Sequence, residues 1–251
     1  MCFSLKMSTV MLILGSLCTF IASKNLNNKI AVWVGYFTIM QAIHVVGYLT
    51  INDCDNIYNR ITSYINYSHI CFQPLFFLIG YLGLMEFCNY NDKKSVIRMD
   101  YALKIAFVIG IFLFIRMFNF PQPLDQSLNL NKSEVPTLRS KKTQTTKNSG
   151  CIWCGKTCSY QGEKHINFSL PLLYPSYNTP SLFVHMFGFF ILPLFISKFV
   201  AFCSLVLLVI TYFPASIHGI EGSEAATIWC FTSILQCVTI ILLSLFWEKK
   251  K

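Results

Sequence analysis

Seven stretches of the chain carry almost only apolar side chains: residues 7–23, 30–51, 69–88, 101–118, 181–197, 200–213 and 225–247. Polar and charged residues collect in the intervals between them. A helix rises 1.5 Å per residue, so crossing a hydrocarbon layer of about 30 Å takes about 20 apolar residues. Most of the seven meet that length. The sixth is short, and it is expected to start near Lys198 and continue past Pro214 towards His218. Backbone groups in lipid must be bonded internally, so the pattern predicts helices throughout. The expected fold is all-α, a polytopic integral membrane bundle of seven transmembrane helices.

Composition supports this reading. Charged residues make up 12% of the chain and hydrophobic ones 54%, against about 25% charged in soluble domains. A formal net charge of +9 raises nucleic acid as a partner. However, the basic residues flank the apolar stretches or fall in one long connection between 132 and 164, which makes them determinants of topology rather than a phosphate-binding face. The expected partner is the lipid bilayer, with no nucleic acid. With the N-terminus outside and the C-terminus cytoplasmic, the inner side receives Lys24, Lys29, Lys93, Lys94, Arg98, Lys198 and Lys249 to Lys251, while Lys6, Arg60 and Arg116 fall outside. The long basic connection would also lie outside, and loops of about 60 residues escape the rule. A rival treats residues 1–23 as a cleaved signal peptide; Phe20 suits such a cleavage site poorly. Four parts follow: a four-helix block at 1–118, a polar insert at 119–150 expected to be disordered and exoplasmic, a cysteine-rich exoplasmic lid at 151–180, and a three-helix block at 181–251.

Three Asn-x-Ser sequences, at Asn66, Asn131 and Asn167, are glycosylation candidates that this topology places in outer loops. Cys2, Cys54, Cys151, Cys154 and Cys158 also fall outside, where an oxidising environment favours disulfides. A bond from Cys54 or Cys2 to the 151–158 cluster would pin the long loop over the bundle. The alternative for Cys-x-x-Cys-x-x-x-Cys followed by His165 is a metal.

All five histidines, His44, His69, His165, His185 and His218, map to the outer third of the bundle or the loops above it. Gln41, Gln73, Arg116, Glu221 and Glu224 fall at similar depth, so one polar vestibule would contain them. Two readings stand. In one these are hydrogen-bonding and interfacial residues, placed near water where they cost least. In the other, His44, His69 and His185 hold a transition metal such as zinc, with Glu224 as ligand or catalytic base of a membrane enzyme. A non-enzymatic, receptor-like or assembly protein presenting residues 119–180 is the alternative function, its protein partner or small ligand unspecified. The absence of Lys from the seventh stretch excludes a retinal Schiff base there, and no internal repeat suggests a transporter.

The opening Met-Cys-x-Ser, Gly35-Tyr36-Phe37-Thr38-x-Met40, His69-x-x-Phe72-Gln73-Pro74, the Lys164-His165-Ile166 to Pro171 run and Glu224-x-x-x-Ile228-Trp229-Cys230 together resemble a family of uncharacterised seven-helix membrane proteins of bacteria and giant viruses. The resemblance implies a multi-pass protein of a host or viral membrane. It implies no activity.

Overall fold

The computed structural model describes residues 4–90, 92–115, 117–118, 157–161, 166–170 and 187–217, together with 234, 237–238 and 241–242. Helix α1 (Leu5–Asn25) starts at Ser4, whose hydroxyl accepts the Met7 N–H. Helix α2 (Asn28–Leu49) follows after two residues. The Asn27 amide does two jobs at that turn: its oxygen caps α2 by accepting from Ile30 N–H at 2.9 Å, and its nitrogen donates to the Gly83 carbonyl at 2.8 Å. It thus fixes where α2 begins and ties that end to the far end of α3.

Helix α3 (Ile57–Phe87) runs for 31 residues from an Asn56 cap. This corrects the expected start at residue 69. Asn59, Thr62, Ser63, Asn66, His69 and Gln73 recur at intervals of one to four residues that keep them on one helical face, and all are buried. A search for apolar runs passes over a helix whose buried face is polar. Asn66 therefore lies inside a helix and not in an outer loop. Helix α4 (Lys93–Ile115) is capped by Asp92, whose carboxylate accepts from both the N–H and the hydroxyl of Ser95.

Strands β1 (Cys158–Gln161) and β2 (Ile166–Ser169) then pair antiparallel, with Cys158 opposite Ser169 and Gln161 opposite Ile166. The chain is mostly helical, but the purely α-helical expectation is corrected by this hairpin. The fifth apolar stretch was expected as one helix. Its described part is a π-helical turn (Phe187–Ile191) and a short α5 (Leu192–Ile196), broken at Ser197. The break has a local cause: Ser197 adopts extended backbone and its hydroxyl accepts from Val200 N–H at 3.1 Å, capping α6 (Lys198–Ile217).

Among the described residues, α1, α2 and α3 are long and apolar enough to cross a membrane. Packing runs in sequence order, α1 on α2, α2 on α3 and α3 on α4. Lipid is as apolar as leucine, so helices associate there through close van der Waals fit. Gly80 lets the Trp33 ring lie against the α3 backbone, where an added Cβ would come within 2.5 Å of it, and Gly15 does the same for Thr38 at 2.4 Å. Gly188 seats the π-helical turn on Pro74. At the end of the bundle near the α1–α2 turn, Lys29 pairs with Glu86 at 2.6 Å, both about half exposed.

Candidate functional site

The hairpin sits over the end of the bundle formed by the close of α2 and the start of α3. Asn59 holds it there as a second strand would. The Asn59 side-chain oxygen accepts from Ser159 N–H at 2.8 Å, and its nitrogen donates to the Ser159 carbonyl at 2.7 Å and to the Thr50 carbonyl at 2.7 Å. Ser63 and Ser159 join their hydroxyls at 2.7 Å. Asn52, in the left-handed region at φ 67°, donates its N–H to the Ser159 carbonyl and accepts from Gln161 N–H. A disulfide joins Cys54 to Cys158, with Cα atoms 4.9 Å apart. On the other strand Ile166 and Phe168, with Leu170 just beyond it, alternate inward. All three are fully buried, and Phe168 and Leu170 join Tyr67, Ile70, Cys71 and Leu113 in one apolar cluster.

Beneath this lid lies a buried polar layer shared by α2 and α3. Two sequence motifs meet in it. The Tyr36 hydroxyl donates to the His69 backbone carbonyl, and His69 Nε2 bonds the Tyr36 carbonyl at 2.8 Å. A carbonyl only accepts, so Nε2 carries the proton and Nδ1 of the neutral ring is the acceptor. Gln73 Nε2 approaches that Nδ1 at 3.4 Å. The Tyr36 ring is stacked between His69 and Phe76, with centroids 4.0 and 3.6 Å away. Both nitrogens of His69 are thus engaged, which argues against it as a ready metal ligand.

One turn up α3 from His69 is Asn66. It is fully buried, and among the described residues neither its amide nitrogen nor its amide oxygen has a hydrogen-bond partner. Helix α2 meets α3 at Gly47 with Thr62 and again at Tyr36 with His69. Between those contacts the antiparallel register sets Gln41 at the level of Asn66, and His44, also fully buried, about one turn nearer the lid. Gln41 and Thr38 are also buried on α2.

Of the residues singled out from sequence, the structure pairs His69 with Gln73, buries His44 and Gln41 on α2, and joins Cys54 and Cys158 in one bond. Asn167 lies in strand β2. His185, Glu224, Cys2, Cys151, Cys154 and Asn131 lie outside the described residues, as do Arg116, His165, His218 and Glu221. Among the described residues no three metal-binding side chains converge. Sequence reasoning assigned no role to Tyr36, Asn59, Ser63 or Ser159; the recurrence of polar residues along 59–73 was the signal for those on α3.

Residues 6–249 match the model of a family described as a family of unknown function (DUF5765). No curated protein and no solved structure matches the chain.

Proposed function

The chain belongs to this family of unknown function, and from that premise we propose that it is a multi-pass integral membrane protein that binds a small neutral polar molecule beneath its hairpin lid. The proposed topology is seven spans with the lid and N-terminus exoplasmic. The Cys54–Cys158 bond, which belongs in an oxidising compartment, and the lysine bias of the short connections support that sidedness.

One observation carries the ligand reading: the Asn66 amide is fully buried, with its donor and acceptor both unpaired among the described residues. Leaving a buried polar group unsatisfied costs about 1–3 kcal/mol, and a ligand or bound water that supplies both complements removes that cost. The ligand class follows from the surroundings. Asn66, Gln41 and Gln73 are amides and His69 bonds through both ring nitrogens, so no permanently charged side chain among these residues would balance an ion. A primary amide or a protonated carboxylic acid offers the matching donor and acceptor. The receptor-like reading thereby gains over the metal enzyme, because His69 is already committed to Tyr36 and Gln73.

The test is a thermal-shift screen of the purified protein against small amides, carboxylic acids and alcohols. The expected result is a compound that stabilises the wild type and has no effect on Asn66→Leu. If no compound stabilises the wild type while Asn66→Leu is more stable than it, Asn66 is only a structural liability and the reading fails.

A further inference from the structure

A groove of about 700 Å³ runs along the outer side of the bundle. Ser16 and Thr19 of α1 form one wall, Val32, Gly35 and Ile39 of α2 the other, with Phe76 of α3 alongside. Gly35 keeps the groove open: a Cβ there would stand 3.3 Å from the Thr19 methyl. Ser16, Val32 and Ile39 are exposed, although Ser16 and Ile39 sit mid-helix in segments apolar enough to span a bilayer.

The groove's length and its end identify the occupant. From Asn28, which also lines it, to Ile39 the rise along α2 is about 16 Å. One leaflet of hydrocarbon is about 15 Å, half of the bilayer core. At the Asn28 end lies the α1–α2 turn, where the sequence from Lys24 to Lys29 holds two lysines and no acid. Lys29 is paired with Glu86. Lys24 is exposed in the last turn of α1, with its ammonium 6.0 Å from the centroid of its own helix's Phe20 ring. We propose that the groove holds one acyl chain of an anionic phospholipid, whose headgroup is recognised by Lys24. This inference rests on the membrane-spanning reading of α1 to α3.

The experiment is native mass spectrometry of the full-length protein released from detergent, with phosphatidylglycerol and phosphatidylcholine of matched acyl chains as probes. Phosphatidylglycerol should be retained about five-fold more than phosphatidylcholine, the factor a single lysine contributes near an anionic surface. Lys24→Gln should bring the two towards parity. Ser16→Phe, which fills the groove from an exposed position, should reduce retention of both. Circular dichroism and melting temperature confirm that each variant folds. Equal retention of the two lipids by the wild type, or undiminished retention by Ser16→Phe, overturns the proposal. So does a dimer that Ser16→Phe abolishes, since the groove would then belong to a second copy. Alkaline carbonate extraction of the source membranes separates the two levels: protein that stays in the pellet upholds the spanning reading whatever the lipid result, and protein released to the supernatant sinks both.

Discussion

Replacing Cys54 and Cys158 with serine isolates the contribution of the bond between lid and bundle. The cysteines are 104 residues apart in sequence, and in the chain-entropy account closing a loop of that length stabilises the folded state by about 4.7 kcal/mol. That figure treats the intervening chain as flexible. Helices α3 and α4 occupy more than half of it. If both persist in the membrane-embedded denatured state, about 50 flexible residues remain, and the same relation gives about 4 kcal/mol. The expected loss is therefore about 4–5 kcal/mol, a large fraction of the roughly 5–15 kcal/mol that stabilises an ordinary domain. Reversible unfolding in mixed micelles should show it, and the two single variants should each match the double variant because each removes the same bond. Reductant should lower the wild type to the level of the double variant and leave that variant unchanged. The hydrogen bonds of Asn59 and Asn52 to the Ser159 and Gln161 backbone are independent of the bond, so the lid should still dock when it is cut. A double variant within about 1 kcal/mol of wild type, well below the chain-entropy figure, would refute the reasoning.

Tyr36→Phe removes the hydroxyl that reaches the His69 carbonyl and keeps the stacked ring, so it should cost about 1 kcal/mol in the same unfolding assay. Gly80→Ala drives a methyl into the Trp33 ring, 2.5 Å away; a loss of about 1–3 kcal/mol is expected, with a change in Trp33 fluorescence as a local readout. The Asp92 carboxyl is held below its usual value by the Ser95 hydroxyl first and then by the Ser95 N–H. A lowered folded value means that its stabilising contribution is complete above the ordinary aspartate range near about 4 and is lost as pH falls through the folded value. Asp92→Asn should flatten that acid limb of the stability profile measured by circular dichroism.

How much of this was legible in the sequence depended on whether burial was apolar. Helices α1 and α2 follow the hydropathy pattern closely, α4 begins at Lys93, eight residues before the apolar stretch at 101–118, and the start of α6 at Lys198 was readable from its neighbours. The first third of α3 was not, because Asn59, Ser63 and Asn66 are buried through partners or positions that lie far away in sequence. Asn59 binds Ser159, one hundred residues on. The hairpin was hidden for a related reason: its alternation covers only Ile166, Phe168 and Leu170, too short a signal beside the long apolar stretches. At the candidate site, the burial of His44 and the pairing of polar residues on one face of α2 could be anticipated from depth and spacing. The engagement of both His69 nitrogens could not, since it depends on a backbone carbonyl of α2 that no residue type announces.

The length of α3 has one more consequence. At 31 residues it is about 46 Å long, against about 30 Å of hydrocarbon, while α1 and α2, with 21 and 22 residues, match the average bilayer. The surplus turns are those whose buried face is polar, so they can rise out of or sink into the headgroup zone with changing bilayer thickness, at a cost of only fractions of a kcal/mol per Å. A docked lid that moves with those turns would set its height above the buried polar residues by the thickness of the surrounding membrane.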